Sequence, residues 1–372
     1  MKIAILTQPL RYNYGGLLQN YALQSVLKEM GHDPVTLDPS PYAHTDWKTP
    51  FRAIKRTIQK YFFHQQKIDI LREYKKNHDV KLLETNTGKF IKKHINCIRY
   101  KKITDINPHE YDAFIVGSDQ VWRPKYNGKR QGNLFLDFIK GKDVRRIAYA
   151  ASFGTDKWEF SEEETKLYSS FLADFDAVSV REDSGVELCH HYFHKEALHV
   201  LDPTMLLTKK DYIHDILQNE KCQNGNQLFY YILDENEEKL QIVNDYATKL
   251  HLTPFTSNKS VIGKKSDDIS KSIQPPVEDW IRGFNRAQFV VTDSFHGSVF
   301  SILFNRPFIV ILNAERGTSR IDSLLKMFKL EERIYNPCKK NEELAINWEE
   351  VNTILSEKRS VAVSFIKKNL DN

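Results

Sequence analysis

The chain has 372 residues, 41% hydrophobic and 28% charged, with a formal net charge of +5. That length exceeds one small core, so two domains are expected, and so small a charge excludes a general affinity for nucleic acid. Four scattered cysteines (Cys97, Cys189, Cys222, Cys338) form no CxxC pair, which argues against a zinc ribbon, a redox pair and a disulfide framework. The N-terminal apolar run after Lys2 ends at Thr7, shorter than the roughly 7–15 residues of a secretory core. No segment approaches the ~20 apolar residues of a membrane span, so a cytoplasmic protein is expected.

Residues 2–6 read as a buried strand, followed by a polar loop with Gly15-Gly16. A helix follows, with Leu17, Tyr21, Leu23, Val26, Leu27 and Met30 at helical spacing and Gly31 as its stop, then a strand at 34–38. Strand–loop–helix–strand is a βαβ unit, the seed of a parallel sheet. Residues 51–104 differ: they hold fifteen Lys/Arg against four Asp/Glu, an excess of eleven. Phe51, Ile54, Ile58, Phe62, Ile68 and Leu71 follow a helical period. Two readings stand: a helical insertion with a solvated basic face, or a basic amphipathic surface that makes peripheral contact with anionic lipid or a phosphate-bearing acceptor.

Strand patterns resume at 113–116, 147–150 and 177–180, and a strand end falls at 199–204. A strand at 228–233, a helix at 236–250 with Asn236 as cap, a helix at 279–287, a strand at 289–292, a helix at 299–304 and a strand at 307–312 follow. The serine-rich stretch 256–272 reads as a loop. The architecture expected is two α/β halves with a boundary near 205–225: residues 1–205 carrying the basic insertion, 206–345 the second half, and 346–372 a helix packing back. Ligands in such sheets collect at the C-terminal ends of strands, so a cleft between the halves is the default site.

Four constellations sit at those ends. In GSDQVW (117–122), Gly117 lets the backbone turn, Asp119 can accept a proton from a sugar hydroxyl, Gln120 shares the tip and Trp122 can cover a sugar face. The plain alternative is a capping aspartate and a core tryptophan. In NYGGLLQN (13–20), Gly15-Gly16 at a helix start can bring backbone N–H groups toward an anion or hydroxyl, and Gln19 and Asn20 interrupt an otherwise apolar helix start; a glycine turn with a capping asparagine is the alternative. The stretch is not GxGxxG, and no GxxxxGK[ST] exists in the chain. In VSVRED (178–183), Arg181 can grip a carboxylate or phosphate bidentately, or pair with Glu182, Asp183 or Asp176. In TDSFHG (292–297), a helix starting near Gly297-Ser298 offers free N–H groups beside His296, whose imidazole can give and take a proton near neutrality. A buried histidine satisfied by Asp293 is the alternative. Ser294 or Ser298 as a hydrolase nucleophile lacks a GxSxG elbow. Downstream, Arg316 and Arg320 open a further helix and can add anion contacts.

Together NYGGLLQNYAL, YDAFIVGSDQVW, VLDPTMLL and VVTDSFHGSVFSILFNRPF resemble the polysaccharide pyruvyl transferase family, from the N-terminus to about residue 330. The resemblance implies a GT-B-like fold, two Rossmann-like domains facing across a cleft. It also implies transfer of a pyruvyl group from phosphoenolpyruvate to a saccharide, giving a pyruvate ketal and phosphate. The family's Arg-Leu-His tripeptide, whose histidine serves as acid/base, falls on Ser294, Phe295 and His296; serine in the arginine place is a departure, for which Arg320, Arg316 or Arg181 must compensate. A second family arginine matches Arg181. His296 and Asp119 are thus the expected catalytic pair. Arg181, Ser294, Phe295, Gly297, Ser298, Arg316 and Arg320 are expected around the donor, and Asn13, Gly15, Gly16, Gln19, Asn20, Gln120 and Trp122 around the acceptor. No cofactor or metal is expected. Two other functions fit the same fold: a glycosyltransferase using a nucleotide-sugar, and a non-catalytic saccharide-binding protein of envelope-polysaccharide assembly.

Overall fold

A computed structural model describes all residues except 44, 64–68, 140, 142, 221–224, 259–268, 314–315, 339–344 and 372. Ile68 and most of the serine-rich stretch therefore lie outside the described residues. Ile3, Ala4, Ile5 and Leu6 are all buried in β1 (Lys2–Leu6). Burial on both faces is what a central parallel strand between two helical layers requires. The chain continues through α1 (Tyr14–Glu29), β2 (Asp33–Pro39), α2 (Thr49–Tyr61), α3 (Arg72–Leu83), α4 (Thr87–His94), β3 (Cys97–Tyr100), β4 (Ala113–Val116), the short α5 (Pro124–Asn127), β5 (Arg145–Ala151), α6 (Glu162–Ala173), β6 (Ala177–Val180), α7 (Asp183–Phe193) and β7 (Leu198–His199). These strands form one parallel sheet of seven, in the order β3-β2-β1-β4-β5-β6-β7.

After α8 (Lys209–Asp211) come β8 (Gln227–Tyr231), α9 (Glu237–Leu250), β9 (Thr253–Phe255), α10 (Val277–Arg286), β10 (Phe289–Thr292), α11 (Phe295–Leu303), β11 (Phe308–Val310), α12 (Ser319–Phe328) and α13 (Trp348–Asp371). The second sheet is also parallel, in the order β11-β10-β8-β9. Two parallel α/β sheets are the GT-B-like layout. Strand order reverses between β1 and β4 in the first sheet and between β8 and β10 in the second, and each reversal opens a crevice at the strand ends.

One apolar cluster runs through both halves, from Ile3, Leu17 and Tyr21 to Tyr212, Trp280 and Phe300. Separate clusters fill the outer faces of the two sheets. Helix α13 lies against the first half: Arg145 Nη1 donates to the carbonyls of Asn369 and Leu370, and Arg359 donates to those of Met205 and Leu207.

The basic segment is not helical throughout. Its last part, Cys97–Tyr100, pairs with β2 as the edge of the first sheet. Four residues with an arginine among them carry too little pattern to read as a strand, yet short, charged strands are what sheet edges favour. Other differences lie at helix starts. Asn13 accepts from Gly16 N at 3.5 Å, so α1 begins at Tyr14 and Gly15-Gly16 lie in its first turn. Asn236, by contrast, caps α9 as expected, accepting from Lys239 N at 2.8 Å.

Candidate active site between the two sheets

The first half supplies three polar tips. After β4 the backbone passes through Gly117 (φ 128°), where a Cβ would come within 2.0 Å of the Tyr149 carbonyl. Asp119 follows in the left-handed region (φ 67°), a conformation aspartate tolerates better than most residues. Its Oδ1 accepts from Gln120 N at 2.9 Å and from Arg181 Nη2 at 3.3 Å. Arg181, just beyond β6, donates Nη1 to Asp202 Oδ2 at 2.8 Å. Asp202, beyond β7, also accepts from Ser118 Oγ on Oδ2 (3.2 Å) and from Thr204 N and Oγ1 on Oδ1 (3.0 and 2.7 Å).

The second half supplies His296 from the first turn of α11. Its Nε2 lies 3.6 Å from Asp202 Oδ2, longer than a hydrogen bond, and has no hydrogen-bond partner among the described residues. The other side of the ring faces α1: a Cβ on Gly15 would sit 2.0 Å from His296 Nδ1. Glycine there lets the two halves close on the imidazole. The Phe295 ring lies under Arg181, 4.4 Å from the guanidinium carbon, a cation–π contact joining the same halves. Arg320, from α12, donates Nη2 to the Arg316 carbonyl at 3.2 Å. The Nε atoms of Arg181 and Arg320 are both buried without a hydrogen-bond partner.

Charge decides the protonation states. Burial alone would raise the Asp202 carboxyl, but the His296 ring and Arg181 outweigh it and hold it well below the usual carboxylate range. Asp119 is likewise held low, because Arg181, His296 and Arg320 together outweigh its burial. Burial, then the charge of Arg181, pulls the Arg320 guanidinium down to about 10. The two guanidinium charges therefore oppose each other. Burial pushes the Glu182 carboxyl up against the opposing pull of Arg181. Its Oε1 accepts from Ser152 Oγ, Phe153 N and Gly154 N (2.9, 2.7 and 3.0 Å), ordering the loop after β5.

A family model for polysaccharide pyruvyl transferase matches residues 13–315. The chain belongs to the polysaccharide pyruvyl transferase family. No curated protein matches it. Among solved structures it is similar to the Neisseria meningitidis UDP-GlcNAc 2-epimerase bound to UDP-GlcNAc (8% identity, 97% of this chain and 94% of that one, TM-score 0.46). It is also similar to MnaA of S. aureus in its UDP co-structure (11%, 96% and 87%, TM-score 0.46) and to Acinetobacter baumannii MurG (10%, 100% and 95%, TM-score 0.40). Likenesses at these scores decide nothing about the chemistry of a pyruvyl transferase; its own side chains must.

Those side chains redistribute the expected site. His296, Asp119, Arg181, Arg320 and Gly15 come together, with Phe295 as the platform for Arg181. Asp202, unremarked as a site residue in the sequence although it lies in VLDPTMLL, stands at the centre. Its signal was an aspartate at a strand's C-terminal tip, the same signal that marked Asp119. Of the three arginines expected to compensate for serine at 294, Arg181 and Arg320 both bear on Asp119, whereas Arg316 is committed to Asp234, with Nε–Oδ2 at 2.5 Å and Nη2–Oδ1 at 2.8 Å.

Several expectations are corrected. Trp122 is fully buried, stacked on Phe135 at 5.4 Å, with its Nε1 donating to the Leu134 carbonyl; it is core and covers no sugar. Gln19 is buried and splints two strand tips, donating to Thr7 Oγ1 and accepting from Ser118 N (2.9 and 3.1 Å). Asn20 is buried, accepting from Thr36 Oγ1. Asn13 and Gly16 serve the start of α1. Helix α11 begins at Phe295 rather than at Gly297, because Ser294 caps it. The N–H groups of Gly297 and Ser298 are therefore taken by Ser294 Oγ (3.4 Å) and Ser294 O (3.0 Å) and are not free for an anion. The carboxylate facing His296 is Asp202; Asp293 accepts from Leu233 N and Lys239 Nζ instead (2.6 and 2.7 Å). Gln120 stays near the tip, its Oε1 accepting from Arg123 Nη1 at 3.0 Å.

Proposed function

We propose that this chain transfers the pyruvyl group of phosphoenolpyruvate to a saccharide, forming a cyclic pyruvate ketal and releasing phosphate. One observation carries the reading: two buried guanidinium groups with unpartnered Nε atoms, Arg181 and Arg320, lie with His296 and two ionised aspartates where the halves meet. A small, highly charged donor needs several cationic groups, and protonating its methylene carbon needs an acid that works near neutrality. His296 gives a proton to that carbon as one sugar hydroxyl bonds to C2. Asp119, held low by Arg181, is too weak a base to deprotonate the hydroxyl outright; it accepts its hydrogen bond and orients it. The C2–O bond to phosphate then breaks with Arg181 and Arg320 on the leaving oxygens, and the second hydroxyl closes the ketal. The imidazole left by the first transfer takes up the first hydroxyl's proton and hands it to the departing phosphate, and the second hydroxyl's proton restores the imidazolium. Asp202 positions the imidazole and Arg181 together.

The acceptor in this reading is a repeat unit of a capsular or exopolysaccharide, carried on a lipid at the inner membrane face. A thermal-shift comparison of phosphoenolpyruvate with UDP- and GDP-sugars tests the donor. A ligand at 100 times its dissociation constant adds roughly 2.7 kcal/mol, so phosphoenolpyruvate should raise the midpoint clearly. A shift with a nucleotide-sugar and none with phosphoenolpyruvate would sink the reading.

A further inference from the structure

Helix α2 is built the wrong way round for a soluble protein. Its apolar residues recur at Phe51, Ile54, Ile58, Tyr61 and Phe62, a single stripe at helical spacing that ordinarily faces a core. Here the polar side faces the protein. Arg56 holds Glu73 of α3 with two bonds (2.5 and 2.7 Å), and Arg52 reaches Glu73 (3.5 Å) and Asp46 (3.0 Å). The apolar stripe points out: Phe51 is 63% exposed, Ile54 58%, Ile58 44%, Tyr61 65% and Phe62 79%, with Trp47 at 75% just before the helix. Within α2 only Thr49 is buried. A continuous exposed apolar ridge of this kind marks an interaction surface.

Lysines flank the ridge. Lys48 and Lys55 lie beside it on the helix, and Lys48 Nζ sits 5.2 Å over the Trp47 ring. The charge of the chain is concentrated in the same segment: residues 51–104 carry an excess of eleven positive charges, while the whole chain carries only +5, so the remainder is net negative. Further along the segment, a cavity of about 1080 Å³ is lined by Lys28, Lys81, Lys89, Lys92, Lys93 and Arg99. It adds positive field and holds none of the groups gathered around His296.

We propose that α2 docks this protein on an anionic lipid bilayer, its apolar ridge entering the headgroup–acyl boundary and its flanking lysines meeting lipid phosphates. An outward apolar stripe bordered by lysines is what an in-plane interfacial helix presents, and basic segments are drawn to anionic leaflets. A second copy of the chain fits less well: a two-fold contact through this face would set the two positive excesses against each other. The proposal does not depend on the reaction at His296.

The test is co-sedimentation of the full chain with vesicles of phosphatidylcholine alone and of phosphatidylcholine with phosphatidylglycerol. The wild-type protein should pellet with the anionic vesicles and far less with the neutral ones. Phe51→Asn/Ile58→Asn/Phe62→Asn should lose roughly tenfold or more of that partitioning. Lys48→Gln/Lys55→Gln should lose most of the preference for anionic vesicles, and high salt should do the same. Both sets change exposed positions, so unchanged thermal melting checks that they fold. Equal pelleting of wild type and the apolar variant overturns the proposal. So does a wild type that ignores both vesicles, or one that forms a dimer which the apolar variant abolishes. Phosphate release with a water-soluble acceptor should be unaltered in these variants, so failure of the docking and failure of the chemistry are read separately.

Discussion

Replacing Asp202 by asparagine would take from the buried Arg181 its 2.8 Å carboxylate partner and leave Asp119 at 3.3 Å as its nearer ion pair. Breaking a buried pair from one side costs about 3–5 kcal/mol, and denaturant unfolding of Asp202→Asn should show a loss of that order. The pH dependence should change as well. The folded Asp202 carboxyl titrates below its unfolded value of about 3.9, so it contributes stability that is complete above that pH and lost as pH falls further. Asp202→Asn should flatten the acid limb of the stability profile, and a limb as steep as that of wild type would show that other carboxylates set it. At this scale the sequence was informative in part. His296, Asp119 and Arg181 stand out because each is a charged or titratable group just after an apolar strand. Asp202 carries the same mark. Trp122, Gln19 and Asn20 misled, because a polar or aromatic residue near a glycine reads as a ligand contact until packing shows it filling the core or splinting strands.

Gly15 acts at the level of the element. It lies in the first turn of α1, where the helix backbone runs against the His296 ring, and a methyl group there would come within 2.0 Å of Nδ1. Since neither half can give way without moving a packed helix, Gly15→Ala should push the imidazole off its place. A displacement of about 1 Å can cost 10²-fold in rate. Turnover should fall by about that factor while circular dichroism stays as in wild type; unaltered turnover would mean that the ring does not work where it sits. Elements with strong periodicity, such as α1 and α9, were readable from the chain to within a few residues. The start of α11 was not. Two residues of difference there decide whether Gly297 and Ser298 present free N–H groups, and only the capping hydroxyl of Ser294 settles it. The edge strand β3 is equally hard to read, because four residues beside a basic helical run have no period to display.

For the whole molecule, the question is what holds two parallel sheets closed on this cluster. Arg123 of the first half donates to the Arg316 carbonyl at 2.9 Å, and Tyr14 Oη donates to the Pro275 carbonyl at 2.8 Å. Near the first tie, a Cβ on Gly317 would come within 2.3 Å of the Gly154 carbonyl. The cluster itself is nearly closed to solvent, with His296 only 6% exposed, and in the proposed reaction the reactants enter where the halves part. Hydrogen bonds to charged groups contribute about 1.5–3 kcal/mol. Arg123→Ala should therefore quicken amide exchange around Ser118 and His296 about tenfold or more; unchanged protection would place the closure elsewhere. The two-sheet layout was legible from strand–helix alternation alone, whereas the way the halves share one apolar interior and one charged cluster depends on contacts between residues far apart in the chain. The most direct test of the account is phosphate release from phosphoenolpyruvate in the presence of polysaccharide repeat units, comparing wild type with His296→Asn. The account predicts acceptor-dependent release that falls about 10²–10⁴-fold in the variant; near-normal release by His296→Asn, or none by wild type, would contradict it.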